Sequence, residues 1–307
     1  MGFAVSDAGD VNGDGFDDFM VGMPRDGSNG TDSGAAHLYS GVDGSLIYNI
    51  LGFGVDSRAG TTLCGMGDIN NDGFDDFAVG ETNFNTVGAT TAPSFLVHIF
   101  SGQDGSILFQ FQGPISSSAP EEIANAGDVN DLIIGVPNKI GLPGTLGVAD
   151  VVSGNDASTL HTILGVNDNG SLGSAVDGIG DANGDGFADF IVGAPNGTSV
   201  RNFGRARVYS AANAAILRNI NSQSQFNAVG ESVAGLGDIA GDGAGDYAVS
   251  QGKNPQPIVC LFSGASGASG TSLGTIPSPL TSNTALLSVS GIGDVNADGR
   301  DDVFVST

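Results

Sequence analysis

Asp10 to Asp18 reads D-V-N-G-D-G-F-D-D, and an apolar run, Phe19-Met20-Val21, follows directly. Side-chain oxygens stand at loop positions 1, 3, 5 and 9, which are Asp10, Asn12, Asp14 and Asp18, with Gly15 just after the third of them. Oxygens at alternate positions of a tight turn suit a hard cation, because Ca2+ takes about six to eight of them at about 2.3–2.6 Å. The opening matches the start of a helical calcium loop. At position 12, where such a loop carries glutamate, this chain is already in its apolar run, and the last carboxylate comes early. The spacing therefore predicts a calcium loop that closes a β-hairpin.

The pattern returns down the chain. Asp68, Asn70, Asp72 and Asp76 repeat it, as do Asp181, Asn183, Asp185 and Asp189, and then Asp294, Asn296, Asp298 and Asp302. Asp238, Asp242 and Asp246 form another copy, with Ala240 where asparagine is expected, and Asp128-Val-Asn130-Asp131 is a shortened one. The first aspartates, taken in chain order, are 58, 60, 53, 57 and 56 residues apart. A period of this size marks an array of supersecondary units, none of which can bury its apolar face alone. The reading is one domain over 1–307 with approximate repeats 1–51, 52–112, 113–164, 165–222, 223–276 and 277–307, the last incomplete.

Within each period four strand signals recur. A small-residue run such as Gly230-Glu-Ser-Val-Ala-Gly-Leu-Gly237 precedes the loop, and its Gly and Ala content suits a crowded place where inner strands converge. After the loop comes a short apolar run ended by glycine and proline, as in Asp189-Phe-Ile-Val-Gly-Ala-Pro195, which reads as a buried strand. The third strand is Ala35-Ala-His-Leu-Tyr-Ser-Gly41 and its counterparts, and Asp-Gly turns such as Asp43-Gly44 lead into the fourth. Asp-Gly between apolar strands is a hairpin signal. Four antiparallel strands per unit, repeated around an axis, make an all-β propeller.

Charge narrows the partners. The chain carries 34 acidic and nine basic residues, a net charge of −25. Nucleic acid and anionic membranes both need a positive footprint, so neither is expected. Fifteen of the acidic residues lie at loop positions 1, 5 and 9 of the five near-complete copies, where divalent ions could neutralise them. No run of apolar residues is long enough for membrane insertion. The first repeat starts at once after Met1, without a visible leader, so the sequence reads as a mature or trimmed piece. Cys64 and Cys260 fall in different repeats and read as buried free thiols, though sequence alone leaves a disulfide open.

Phe53-Gly54 opening a unit, the D-x-N-x-D-G-x-x-D loop, and Gly193-Ala194-Pro195 closing a second strand together resemble the FG-GAP repeat. That repeat builds the N-terminal propeller of integrin α-subunits and occurs in many bacterial surface proteins. The likeness spans essentially the whole chain. It implies one blade per repeat, with the calcium loop joining the first and second strands on one face. It also implies a main-chain ligand at position 7, contributed by Phe16, Phe74, Phe187, Ala244 and Arg300. The phenylalanine side chains there are expected to anchor their loops. Partners, a protein or a glycan, are expected on the opposite face, formed by loops such as 25–33, 81–93 and 196–203.

Several departures bear on this. The third loop lacks five residues relative to the first. Ala240 removes one donor, so about four strong Ca2+ sites and one weaker are expected. Glu81-Thr82 and Ser250-Gln251 stand where Gly-Ala-Pro would be. The last repeat stops in its second strand, leaving an edge to be covered by further sequence or by a neighbouring chain.

Nothing marks an active site. His37, His98 and His161 form no recognisable set, no nucleophile elbow or zinc spacing occurs, and the carboxylate pairs fall inside the loops. A carboxylate beside a divalent ion is a poor general acid. The sequence therefore predicts a non-enzymatic, calcium-stabilised extracellular or cell-surface adhesion or interaction module. A structural subunit of a surface layer or filament, and a carbohydrate-binding or polysaccharide-active propeller, are the alternatives.

Overall fold

The computed structural model describes residues 2–87, 90–113, 120–127, 131–137, 145–166, 170–196, 204–221, 228–252, 257–265, 271–278 and 288–306. Five four-stranded antiparallel sheets and one two-stranded sheet follow one another along the chain. Blade 1 holds β1 (Val5–Gly9), β2 (Asp18–Met23), β3 (Ala35–Tyr39) and β4 (Leu46–Leu51). Blade 2 holds β5 (Thr62–Gly67), β6 (Asp76–Val87), β7 (Thr90–Phe100) and β8 (Ile107–Gln112). Blade 3 is β9 (Glu122–Asn125), β10 (Leu132–Val136), β11 (Thr145–Val152) and β12 (Thr159–Val166). Blade 4 is β13 (Ala175–Gly180), β14 (Asp189–Ala194), β15 (Arg205–Tyr209) and β16 (Ile216–Asn221). Blade 5 is β17 (Val233–Gly235), β18 (Tyr247–Gln251), β19 (Ile258–Phe262) and β20 (Ser272–Pro277), and blade 6 is β21 (Ser288–Gly291) with β22 (Val303–Ser306). No helix occurs among the described residues.

The first strands stand side by side in the order β1, β5, β9, β13, β17, β21 and surround an axial channel of about 680 Å³. Their small residues have a steric cause. A Cβ on Gly235 would lie 2.0 Å from the Gly178 carbonyl oxygen, and one on Gly178 would lie 2.3 Å from that of Asn125. Gly65 meets Asp7 and Gly291 meets Gly235 in the same way. Inner strands this close leave no room for a side chain at that register.

The hydrophobic core lies between blades. Ala8, Val11 and Met20 of blade 1 pack with Leu63, Phe77 and Val79 of blade 2. Ile179, Ala182 and Ile191 of blade 4 meet Val233, Tyr247 and Val249 of blade 5 in the same arrangement. Each blade thus offers one set of apolar positions forward and another backward, which is why a single unit cannot stand alone. Cys64 and Cys260 are buried free thiols, and burial pushes both thiols up from the ordinary range.

One expected loop is strand. Residues 81–87 and 90–93 are strand and not a variable connection: β6 and β7 run on as a paired ladder from Phe77↔Phe100 to Val87↔Thr90. Glu81, standing where Gly-Ala-Pro would end the strand, is buried with its Oε1 3.2 Å from Nε2 of buried His98. Phe53 stacks on the same imidazole, 4.5 Å between ring centroids. Without the proline stop, the hairpin keeps pairing.

Candidate metal centres

The five near-complete loops share one internal wiring. The first aspartate accepts main-chain N–H bonds from inside its own loop: Asp10 Oδ1 from Asp14 at 2.9 Å and Oδ2 from Gly15 at 2.8 Å. Asp68, Asp181, Asp238 and Asp294 do the same with Gly73, Gly186, Gly243 and Gly299. This wrap needs the left-handed backbone at position 6, where φ is +89° at Gly15 and +91° at Gly73, and glycine adopts it without a Cβ penalty. The fifth residue, Asp14, Asp72, Asp185, Asp242 or Asp298, accepts from the N–H of position 7, which is Phe16, Phe74, Phe187, Ala244 or Arg300.

The ninth residue ties the loop to the blade. Asp18, Asp76, Asp189 and Asp246 are fully buried. On one oxygen Asp18, Asp76 and Asp189 accept the N–H of loop position 2 (Val11, Ile69, Ala182), and Asp246 accepts that of position 3, Ala240. The other oxygen accepts the N–H that follows the third-strand serine (Gly41, Gly102, Ala211, Gly264). Asp302 takes the Val295 N–H. In blade 3, Asp131 accepts the Gly154 N–H at 3.2 Å, so it holds the position-9 place despite the short loop. Asp128 and Asn130 lie outside the described residues.

Asparagine at position 3 is turned toward the ninth residue. Asn12 Nδ2 lies 3.2 Å from both Asp18 oxygens, and Asn183 and Asn296 repeat the contact with Asp189 and Asp302. Asn70 instead accepts the Asp72 N–H at 2.8 Å. Sequence reading missed the third-strand serine. Ser101, Ser210 and Ser263 each donate from Oγ to the second oxygen of Asp72, Asp185 and Asp242. The repeated Ser-Gly after the third strand was the available signal.

The side chains at position 7 correct an expectation. Phe16 and Phe187 are exposed rather than tucked into the blade. Phe74 leans across to the preceding blade, against Gly13 of the first loop, and Arg300 likewise donates to the Ile239 carbonyl at 3.2 Å. In blades 2 and 6, then, position 7 makes a blade-to-blade contact.

Electrostatics single out the ninth residue. Burial, and then the neighbouring position-5 carboxylate, push Asp18 and Asp246 up and carry Asp76 and Asp189 to about 6, against the pull of their N–H donors. Asp238 is held low, chiefly by the Gly243 N–H. The donor chemistry fits a hard divalent cation: clustered oxygens, several carboxylates per loop, mutual repulsion that such an ion would relieve. Among the described residues no three acidic, histidine or cysteine side chains converge on one point, so the oxygens are held by N–H groups rather than drawn into a cage.

Blades of four antiparallel strands arrayed about an axial channel, each with a carboxylate loop between its first two strands, define a β-propeller. The FG-GAP repeat family matches residues 4–39 and 172–209, in blades 1 and 4, so the chain carries FG-GAP repeats. Integrin alpha-8 of Mus musculus is 30% identical over 149 residues, which is 45% of this chain and 14% of that protein. The chain thus spans about one seventh of that relative's length.

Proposed function

We propose that this propeller is a calcium-stabilised extracellular or cell-surface adhesion or interaction module, and that it is not an enzyme. The observation that carries the reading is the repeated pairing of position-5 and position-9 carboxylates on one face, where burial and then the position-5 charge raise the proton affinity of the position-9 carboxylate. A divalent ion at these places removes that repulsion. The ligands would be the side chains of positions 1, 3, 5 and 9 and the carbonyl of position 7. A half-turn of the Asn12, Asn183 or Asn296 amide would bring its oxygen to the side that now carries nitrogen. Bound calcium would draw these oxygens inward and pin each loop between its two strands.

Similarity to an integrin α chain supports the adhesion-type role and a place outside the cell. Extracellular calcium sites fill at about 10⁻⁴–10⁻³ M, a range in which loops with four side-chain donors suffice. The partner surface we assign is the face opposite the loops, where the 25–33 connection and the long β6–β7 hairpin project. Calorimetric titration of the 307-residue chain with CaCl2 tests the metal part, and binding no calcium at millimolar concentration would refute it. Attachment of cells or matrix proteins to the immobilised chain, with calcium or with chelator, tests the adhesive part. Attachment that ignores calcium would separate the two.

A further inference from the structure

The first and second carboxylate loops are tied to each other as well as to their own blades. Asp75, at position 8 of the second loop, holds both main-chain polar groups of Asp10, the residue that opens the first. Its N–H donates to the Asp10 carbonyl at 3.2 Å, and its Oδ2 accepts the Asp10 N–H at 2.8 Å. The same carboxylate stands where a side chain on Gly9 would have to go. One place earlier, Phe74 lays its ring against Gly13 of the first loop, where a Cβ would lie 2.8 Å from it. Asp75 thus sits between two groups assigned above to the ion of its own loop, the Phe74 carbonyl and the Asp76 carboxylate. The residue it holds, Asp10, is the first ligand of the neighbouring loop.

The junction of blades 4 and 5 is built differently. Ala244 and Gly245 occupy positions 7 and 8 of the fifth-blade loop. A Cβ on Gly245 would collide with the Ile179 carbonyl oxygen, so the backbones themselves fill the space in which Asp75 makes its brace. No carboxylate can reach Asp181, the first residue of the fourth-blade loop, from that place.

We infer that Asp75 is a positioning residue that couples calcium binding in the first and second loops, while the loops of blades 4 and 5 fill independently. The inference rests on the calcium binding proposed above. An ion in the second loop fixes Phe74 and Asp76, and with them Asp75 between the two. The Asp10 main chain is then held in place before an ion reaches the first loop. Less ordering is left for that second ion to impose, so binding is positively cooperative, and the effect is the same whichever loop fills first.

Site-resolved titration tests this. The amides of Gly15, Gly73, Gly186 and Gly243 each donate to the first carboxylate of their own loop. Their signals in proton–nitrogen correlation spectra of the 307-residue chain therefore read the filling of four loops separately as CaCl2 is added. Gly15 and Gly73 should move together, along a curve steeper than a single-site isotherm. Asp14→Ala weakens the first loop without touching the brace, and should raise the calcium midpoint of Gly73 by about fivefold, the lower end of usual couplings. In an Asp75→Ala background the same substitution should move Gly73 by less than about twofold. Asp75→Asn keeps an acceptor for the Asp10 N–H, and there the coupling should persist. Asp185→Ala should leave the Gly243 midpoint where it is, and Gly186 should keep its parent midpoint in every Asp14 and Asp75 variant. A Gly73 midpoint indifferent to Asp14→Ala, a shift that survives Asp75→Ala, or an equal shift between the loops of blades 4 and 5 would overturn the inference alone. Glycine signals that ignore millimolar calcium altogether would refute the calcium binding on which it rests, and the inference with it.

Discussion

Asp76 Oδ1 accepts the main-chain N–H of Gly102 at 2.9 Å, joining the start of a second strand to the turn between the third and fourth. Its other oxygen takes the Ile69 N–H at 3.0 Å, inside the carboxylate loop. One buried side chain therefore knots together the two connections on that face of the blade. The bond recurs in blades 1, 3, 4 and 5, through Asp18, Asp131, Asp189 and Asp246.

The ninth and fifth loop residues should differ in what their loss costs without calcium. Asp76→Ala leaves the Ile69 and Gly102 N–H groups without acceptors, and should cost about 2–4 kcal/mol even in chelator, and more in calcium, where a ligand is lost as well. Asp185→Ala removes an exposed-side carboxylate that accepts only the Phe187 N–H and the Ser210 hydroxyl, so in chelator the loss should stay within about 2 kcal/mol. In calcium it should grow, because a ligand has gone. Urea unfolding under both conditions measures this. Equal losses for Asp185→Ala with and without calcium would reduce the loops to acidic turns.

Calcium itself should raise the melting temperature of the chain, since a ligand that binds only the folded state stabilises it by about 2.7 kcal/mol per site at a hundredfold excess over Kd. Titration should resolve about four strong sites and one weaker, the weak one in blade 5. There Ala240 supplies only its N–H, to Asp246 at 2.7 Å, and no side-chain oxygen. Ala240→Asn should convert the weak site into a strong one. A titration curve unchanged by that substitution would place the weak site elsewhere.

Much of this was readable beforehand. The period and the strand-loop-strand punctuation expose the blades, because each apolar run ends where backbone geometry demands glycine or proline. Position 6 is legible for the same reason: a left-handed turn admits glycine, and Gly15, Gly73, Gly186, Gly243 and Gly299 all show it. What escaped were contacts between repeats. Phe16, Phe74 and Phe187 look alike in sequence, but their burial is set by the neighbouring blade, which no local pattern records. The role of Ser101, Ser210 and Ser263 was hidden by distance along the chain, since each reaches an aspartate more than twenty residues earlier. The β6–β7 extension goes with a buried contact, Glu81 against His98, that reads in sequence merely as a broken Gly-Ala-Pro.

Crowding on the axis makes a sharp contrast between two glycines. A methyl group at Gly235 would press on the Gly178 carbonyl oxygen at 2.0 Å, where both partners are backbone and neither can swing away. Gly235→Ala should therefore cost about 2–4 kcal/mol by forcing blades 4 and 5 apart. Gly54 has open space around its position and no left-handed backbone, so Gly54→Ala should change stability by about 0.5 kcal/mol or less. Denaturant midpoints of the two variants against the parent chain give the comparison.

The axial channel should make stability fall as pH rises. Glu122 of blade 3 accepts the Val176 N–H of blade 4 at 2.9 Å, and Asp177 of blade 4 accepts the Gly235 N–H of blade 5 at 2.9 Å. Burial in the channel, with the two carboxyls near one another and Glu121 beside them, carries Glu122 to about 8, and burial carries Asp177 to about 7. Their ordinary values are 4.5 and 3.8. Between those limits the folded chain holds protons that the unfolded chain has released, so unfolding free energy declines as pH climbs from about 5 to about 8 and levels off above. The change should be on the order of 3 kcal/mol, allowing for solvent in the open channel. Glu122→Gln with Asp177→Asn keeps an acceptor for each N–H and removes the titration, so the double variant should have a flatter profile and exceed the parent in stability at pH 9. Measuring both in saturating calcium keeps the loop carboxylates ionised throughout, and a double variant whose pH profile still tracked the parent would show that the axial carboxyls are not the source.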